Sequence, residues 1–129
     1  MIYLLDTSAY VGFKQGDAGL LETVGAAERI YFSSIVLGEI LFGFRHGSKF
    51  KQNMTELNAF LDHPIVETLP VDRTTADRYA RIAARLRAKG APIPTNDIWI
   101  AAQTMASGAE LLTYDRHFEK VDGLVYTLF

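Results

Sequence analysis

Apolar positions along this chain fall into two kinds of run. Short blocks at Ile2–Leu5, Ile30–Phe32, Ile65–Leu69, Glu110–Thr113 and Leu124–Thr127 have the length and the turn-bounded setting of buried strands. Between them the apolar residues recur at helical spacing. Leu37, Ile40, Leu41 and Phe44 form one such stripe, and Leu57, Phe60 and Leu61 a second. Tyr79, Ile82, Ala83 and Leu86 form a third, and Ile98, Ala101, Ala102 and Met105 a fourth. Strands that alternate with helices pair in parallel through right-handed crossovers, so the pattern predicts an α/β fold. Its centre is a parallel sheet of about five strands covered by helices on both faces. The polar breaks agree: "HGSK" at His46–Lys49 separates two helices, and "KGAPIPTND" at Lys89–Asp97 ends one and starts another, with Thr95 as the expected N-cap. With no repeat, linker or low-complexity segment, residues 1–129 are expected to form one domain.

Composition narrows the chemistry. Hydrophobic residues make up 49% of the chain and charged ones 22%, enough apolar material for a core without staples. There is no cysteine, which removes disulfides, thiolate metal sites and thiol nucleophiles, and suits a reducing compartment. The longest apolar stretch, Ile35 to Phe44, is broken by Glu39, and the start of the chain carries no basic leader; a cytoplasmic protein without a membrane span is expected.

The acids are placed oddly. Asp6 ends the first strand block and Asp115 follows the fourth, at the carboxyl edge where parallel sheets collect ligands. Asp97 opens the helix "DIWIAAQTM". Each of the three also suits a helix N-terminus, where Asp caps free N–H groups and meets the positive end of the dipole. Glu39 has no such excuse: one turn away on its helix stand Ile35, Val36, Phe42 and Gly43, none of them a cation. A carboxylate in that setting points to a metal or an Arg from elsewhere in the chain, or else to an exposed Glu on a helix whose apolar surface continues into a dimer interface. The four acids can converge on one hard cation such as Mg²⁺ or Mn²⁺. His46, His63 and His117 lack ligand spacing, and His117, though near Asp115, reads as a surface residue of a short helix.

Four segments, "LLDTS", "SSIVLGEILFG", "TNDIWIAAQ" and "LLTYDRHFEKVDGL", resemble in order and spacing the acidic motifs of the PIN-domain family. Within it they are most similar to the VapC-type ribonuclease toxins of toxin–antitoxin pairs. Gln103 departs from the small residue common there, which touches packing only. The resemblance spans Ile2 to about Tyr126 and implies a Rossmann-like PIN fold with Asp6, Glu39, Asp97 and Asp115 around Mg²⁺ or Mn²⁺. It implies an endoribonuclease that hydrolyses RNA, silenced by an antitoxin seated near the helices of residues 36–50, and commonly a homodimer. Thr7, Ser8, Asn96 and Thr113 adjoin the acids and are placed to orient them, or equally to cap and turn the chain.

Net charge is −2, from 13 bases and 15 acids; 15 less the four metal-binding candidates leaves 11 acids, so the remaining surface is slightly basic. Arg78, Arg81, Arg85 and Lys89 share one helical stripe, and Arg45, Lys49 and Lys51 surround the "HGSK" turn. Both groups are candidates for phosphate contact, or are simply solvated faces. Two rival functions stay open. A phosphotransfer receiver or phosphohydrolase using Asp6 would need a late catalytic lysine, for which Lys120 is the sole candidate after Lys89. A PIN-like module that binds RNA or protein without cutting would be expected to lack one of the four acids. A serine hydrolase lacks its nucleophile elbow.

Overall fold

In the computed structural model, which describes residues 1–129, the first strand β1 (Ile2–Leu5) sits at the middle of a five-stranded sheet. It is followed by α1 (Thr7–Lys14), α2 (Ala18–Gly25), β2 (Arg29–Ser33), α3 (Ser34–His46) and α4 (Phe50–Leu61). Then come β3 (Val66–Leu69), α5 (Arg73–Lys89), α6 (Thr95–Ser107), β4 (Glu110–Thr113), a short 3-10 helix (Arg116–Lys120) and β5 (Tyr126–Leu128). The strand order is β3-β2-β1-β4-β5 and every pairing is parallel. The chain leaves β1 toward β2 on one side and later returns to β4 on the other, so the sheet's direction of growth reverses at β1 and β4. That reversal opens a crevice at the carboxyl edge, the usual ligand position in such sheets.

Alternation along the strands divides the core. Leu4 and Leu111, paired in register, pack with Ile82, Leu86, Ile98 and Ala101 of α5 and α6. Leu5 and Leu112 point the other way and meet Ala9, Leu20 and Val24 of α1 and α2. Both faces are therefore covered, which is why these strands are apolar at successive positions instead of alternate ones. No helix is long and apolar enough to cross a membrane.

Two local expectations are corrected. The last strand is Tyr126–Leu128, not Leu124–Thr127: Leu124 is buried as part of the turn that precedes it. Thr95 does not cap α6; Pro94 holds the cap position without a side-chain bond, and Thr95 is already helical. Gln103, inward-facing on α6, donates from Nε2 to the carbonyls of Leu69 and Pro70 at 2.9 Å each, tying the end of β3 to this helix. The apolar α3 buries Val36 and Ile40 but leaves Phe42 66% exposed, its ring 4.4 Å from that of His46.

Candidate active site and metal centre

Asp6 is the residue at which β1 becomes α1. Its Oδ1 caps the helix, accepting from the Ala9 N–H at 2.8 Å and from the Ser8 hydroxyl at 2.7 Å. Its Oδ2 accepts from the Thr113 hydroxyl at 2.5 Å, across to the end of β4. Capping and site-building are thus done by different oxygens of one carboxylate. The side chain is only 5% exposed, and burial raises its pKa against the opposing pull of the Thr113, Ala9 and Ser8 hydrogen bonds. The negative charge of Asp115 adds to the rise.

Thr113 is the hinge of this arrangement. Its hydroxyl donates to Asp6 and accepts from the backbone N–H of Asp115 at 2.8 Å, so one buried oxygen fixes both acids. Asp115 in turn caps the 3-10 helix, accepting from the His117 N–H at 2.9 Å. Thr113→Val keeps the shape and removes the bond. It is expected to cost about 1–3 kcal/mol by orphaning a buried acceptor and donor. It should also lower metal affinity or catalysis about 10–100-fold. Thermal melting and titration with Mn²⁺ would check the two effects separately.

Asp97 stands in the first turn of α6, where the free N–H groups favour a negative charge. Its pKa is nonetheless raised, by burial first and then by the charges of Asp115 and Glu39, with the His117 hydrogen bond opposing. His117 Nδ1 lies 3.0 Å from Asp97 Oδ2 and 3.1 Å from Asp115 Oδ1. This ring nitrogen is therefore within hydrogen-bond distance of both acids at once. One donor atom each from Asp97, Asp115 and His117 lies within 4.8 Å of the others, close enough to share one ion.

His117 is the functional candidate that the sequence pattern hid. It is 46% exposed, as a surface residue would be, yet its ring bridges two of the acids. The signal available was its place two residues after Asp115, which suggests contact with that acid but not with Asp97, 20 residues away. Of the two partners expected for Glu39, a metal or an Arg from elsewhere in the chain, the second is absent. Its Oε1 accepts from the Thr7 hydroxyl at 2.6 Å, and its Oε2 from the Asn96 amide at 3.4 Å. It lies half-buried at the margin of the cluster, and its charge is felt at Asp97. Thr7, Ser8, Asn96 and Thr113 therefore each hold one of the four acids through a side-chain bond.

The basic candidates lie on the surrounding helices. Along α5, Arg81 pairs with Asp77 at 3.1 Å, while Arg85 and Lys89 both pair with Asp122 at 3.0 Å, which leaves the stripe with two more positive charges than negative. Arg78 is half-buried beside them, in a small cleft shared with Lys120. Arg45 lies over the Phe50 ring at 5.0 Å, and Lys49 and Lys51 are exposed. Lys120, on that cleft with Asp122, is not part of the acid cluster, and Asp6 has both oxygens already bonded in a buried position. Neither suits a phosphotransfer site.

A sequence model of the PIN domain matches residues 3–124, nearly the whole chain. The chain belongs to the PIN-domain family. Ribonuclease VapC2 of Rickettsia felis is 32% identical over 130 residues, covering 97% of this chain and 96% of the relative. Among solved structures, this PIN domain is similar to VapBC2 from Rickettsia felis bound to a DNA fragment from its promoter, with a TM-score of 0.88 and 30% identity over 100% of this chain and 99% of that one. It is similar too to DNA-bound VapBC from Salmonella typhimurium, with a TM-score of 0.88 and 25% identity over 98% and 97% of the two chains.

The donor set of this PIN domain fits a hard divalent cation. Three aspartates and a glutamate supply oxygen, the one imidazole is compatible, and no Lys or Arg neutralises any of the four carboxylates. Asp6 and Asp97 are driven toward protonation by burial and by the charge of Asp115, joined at Asp97 by Glu39, which is the penalty a bound cation would relieve.

Proposed function

We propose that this PIN domain is a metal-dependent endoribonuclease, the toxin of a type II toxin–antitoxin pair, acting on RNA in the cytoplasm. The observation that carries this is the meeting of Asp97, Asp115 and His117 at the sheet's carboxyl edge, with Asp6 bound to the same threonine as Asp115. Asp97 and Asp115 would hold Mg²⁺ or Mn²⁺, with Asp6 and Glu39 completing the acidic set. When bound, the ion acidifies a water at neutral pH and stabilises charge on the phosphoryl oxygens. The chain's own part is to fix the donors. Ser8 and Thr113 hold Asp6, Thr7 and Asn96 hold Glu39, and His117 keeps Asp97 and Asp115 at a constant separation.

The rest of the surface suits the role. The Phe42 face of α3 is a place for a second copy of the chain or for the antitoxin, and sedimentation of the purified chain alone would separate the two. Arg45, Lys49 and Lys51 supply phosphate contacts, supported by the excess charge of Arg78, Arg81, Arg85 and Lys89, whose exposed ion pairs are weak enough to yield. Replacing Arg45, Lys49 and Lys51 together by Ala is expected to weaken RNA binding at every sequence alike. It should also flatten the dependence of log affinity on log salt by about 2. Binding of a short RNA, measured across salt concentrations, checks both.

The activity itself is tested with total RNA and purified protein in Mg²⁺ or Mn²⁺, in EDTA, and with Asp97→Asn. Cleavage that needs both the metal and Asp97 supports the proposal. Intact RNA under all conditions, with no metal bound by calorimetry, would replace it with a binding module.

A further inference from the structure

The end of α5 is tied to the end of the 3-10 helix. Lys89 Nζ donates to the Lys120 carbonyl at 2.6 Å and to Asp122 Oδ1 at 3.0 Å, and Arg85 Nε donates to Asp122 Oδ2 at 3.0 Å. Beside this joint is a cleft of about 110 Å³, with Ile82, Leu86 and Val121 as its apolar lining. That volume is well below the range of small-ligand sites. It is too small for a nucleobase and large enough for one phosphate group.

The polar lining is basic. Arg78, Arg81, Arg85 and Lys120 stand there against a single acid, Asp122. The ion pairs along α5 engage only the Nε of each guanidinium: Arg81 Nε donates to Asp77 at 3.1 Å, as Arg85 Nε does to Asp122. The carboxylates thus steady both side chains and leave their terminal Nη groups, a fork suited to an oxyanion, without a partner in the chain. Arg78 and Lys120 are paired with no acid.

Position points to the source of the oxyanion. Lys120 ends the 3-10 helix that Asp115 caps, and its five residues, at roughly 2.0 Å each, span about 10 Å between the acid cluster and the cleft. A strand whose scissile phosphate lies at the acids reaches the cleft along that helix without leaving the surface.

We propose that this cleft seats one backbone phosphate of the RNA strand, away from the scissile one, with Arg78, Lys120 and the outer N–H groups of Arg81 and Arg85 as donors. It rests on the endoribonuclease activity proposed above and goes beyond a basic stripe that attracts RNA at large. A single seat fixes the direction in which the strand leaves the acids, past the 3-10 helix toward α5, and gives Lys120 a part in holding it.

The test is binding of a labelled single-stranded RNA in EDTA, across salt concentrations, by the parent, Arg78→Gln, Lys120→Gln, the double variant and Arg87→Gln. Arg87 is an exposed cation of the same helix outside the cleft, and reports what charge alone is worth. Thermal melting confirms that each variant is folded. Arg78→Gln and Lys120→Gln should each weaken binding about tenfold, the worth of a hydrogen bond to a charged group, and Arg87→Gln much less. Each of the first two should also flatten the slope of log affinity against log salt by about 0.7, one phosphate of a single strand. Both hold the same phosphate, so the double variant should flatten it by no more than either alone. A double variant that flattens it by about 1.4, or Arg87→Gln matching the other two, would mean a diffuse basic face and overturn the seat. Unchanged RNA affinity in the single variants would overturn it too; if calorimetry then shows inorganic phosphate bound by the parent and not by the variants, the cleft takes the free ion instead. A parent that binds RNA with the expected slopes but leaves it intact in Mn²⁺ overturns the endoribonuclease activity and not the seat, so the two failures are distinct.

Discussion

Asp97→Asn is expected to cut RNA at least about 100-fold more slowly than the parent, exceeding the loss typical of a residue that merely supports a metal ligand. In EDTA it should melt no lower. The physical reason is that Asp97 carries an unfavourable charge in the metal-free fold: burial, Asp115 and Glu39 all push its pKa up. A carboxyl whose folded pKa is raised binds its proton more tightly in the folded state than in the unfolded one. It therefore favours the fold at pH below its ordinary value, and that advantage is lost as pH rises through the raised folded value. Asparagine has no such titration. Melting curves of both proteins in EDTA should accordingly diverge most at neutral pH, with the variant at least as stable, and converge or cross as pH falls. A variant that melted well below the parent at neutral pH would mean that the Asp97–His117 contact outweighs the repulsion.

The largest loss of stability is expected at Phe118. This ring is fully buried, and it is the anchor by which the 3-10 helix joins the core shared with Leu111 and Leu124. Phe118→Ala should cost about 3–5 kcal/mol, much of the roughly 5–15 kcal/mol available to a domain. Its effect reaches the site because Asp115 caps that helix and His117 belongs to it. At a temperature where the variant is still folded, metal binding should be weaker than in the parent, since two of the three closest donors lose their anchor. Denaturant unfolding gives the first quantity and Mn²⁺ titration the second.

The sequence disclosed most where one physical requirement acted alone. Strands covered on both faces must be apolar at successive positions, and Ile2–Leu5 and Glu110–Thr113 are found at the predicted bounds. The stripes of α3 to α5 were legible because each of those helices buries residues on one face, whereas α6, buried at every position from Ile100 to Thr104, showed its stripe only through Ile98, Ala101 and Ala102. Helix α1 was not legible, since it buries Ala9, Tyr10 and Gly12, a mixture that leaves no apolar stripe. Gly12 is there for close approach: a Cβ at that position would overlap the Tyr114 ring. The short helix after β4 has too few turns to show a period, so nothing local could bring His117 to Asp97. Asp6, Asp97 and Asp115 were visible as acids in the right places. What could not be seen is that Asp6 and Asp115 cap helices and build the site at once: Asp6 divides the two tasks between its oxygens, and Asp115 does both with Oδ1.

The bond between Asp6 and Thr113 joins residues 107 positions apart. During synthesis β1 emerges more than a hundred residues before its neighbour β4, so the centre of the sheet stays open until Glu110–Thr113 have been made. Asp115 and His117 follow β4 directly. A partial chain that stops short of them holds Asp6, Glu39 and Asp97 but not the cluster, so the site forms only with the strand that closes the sheet.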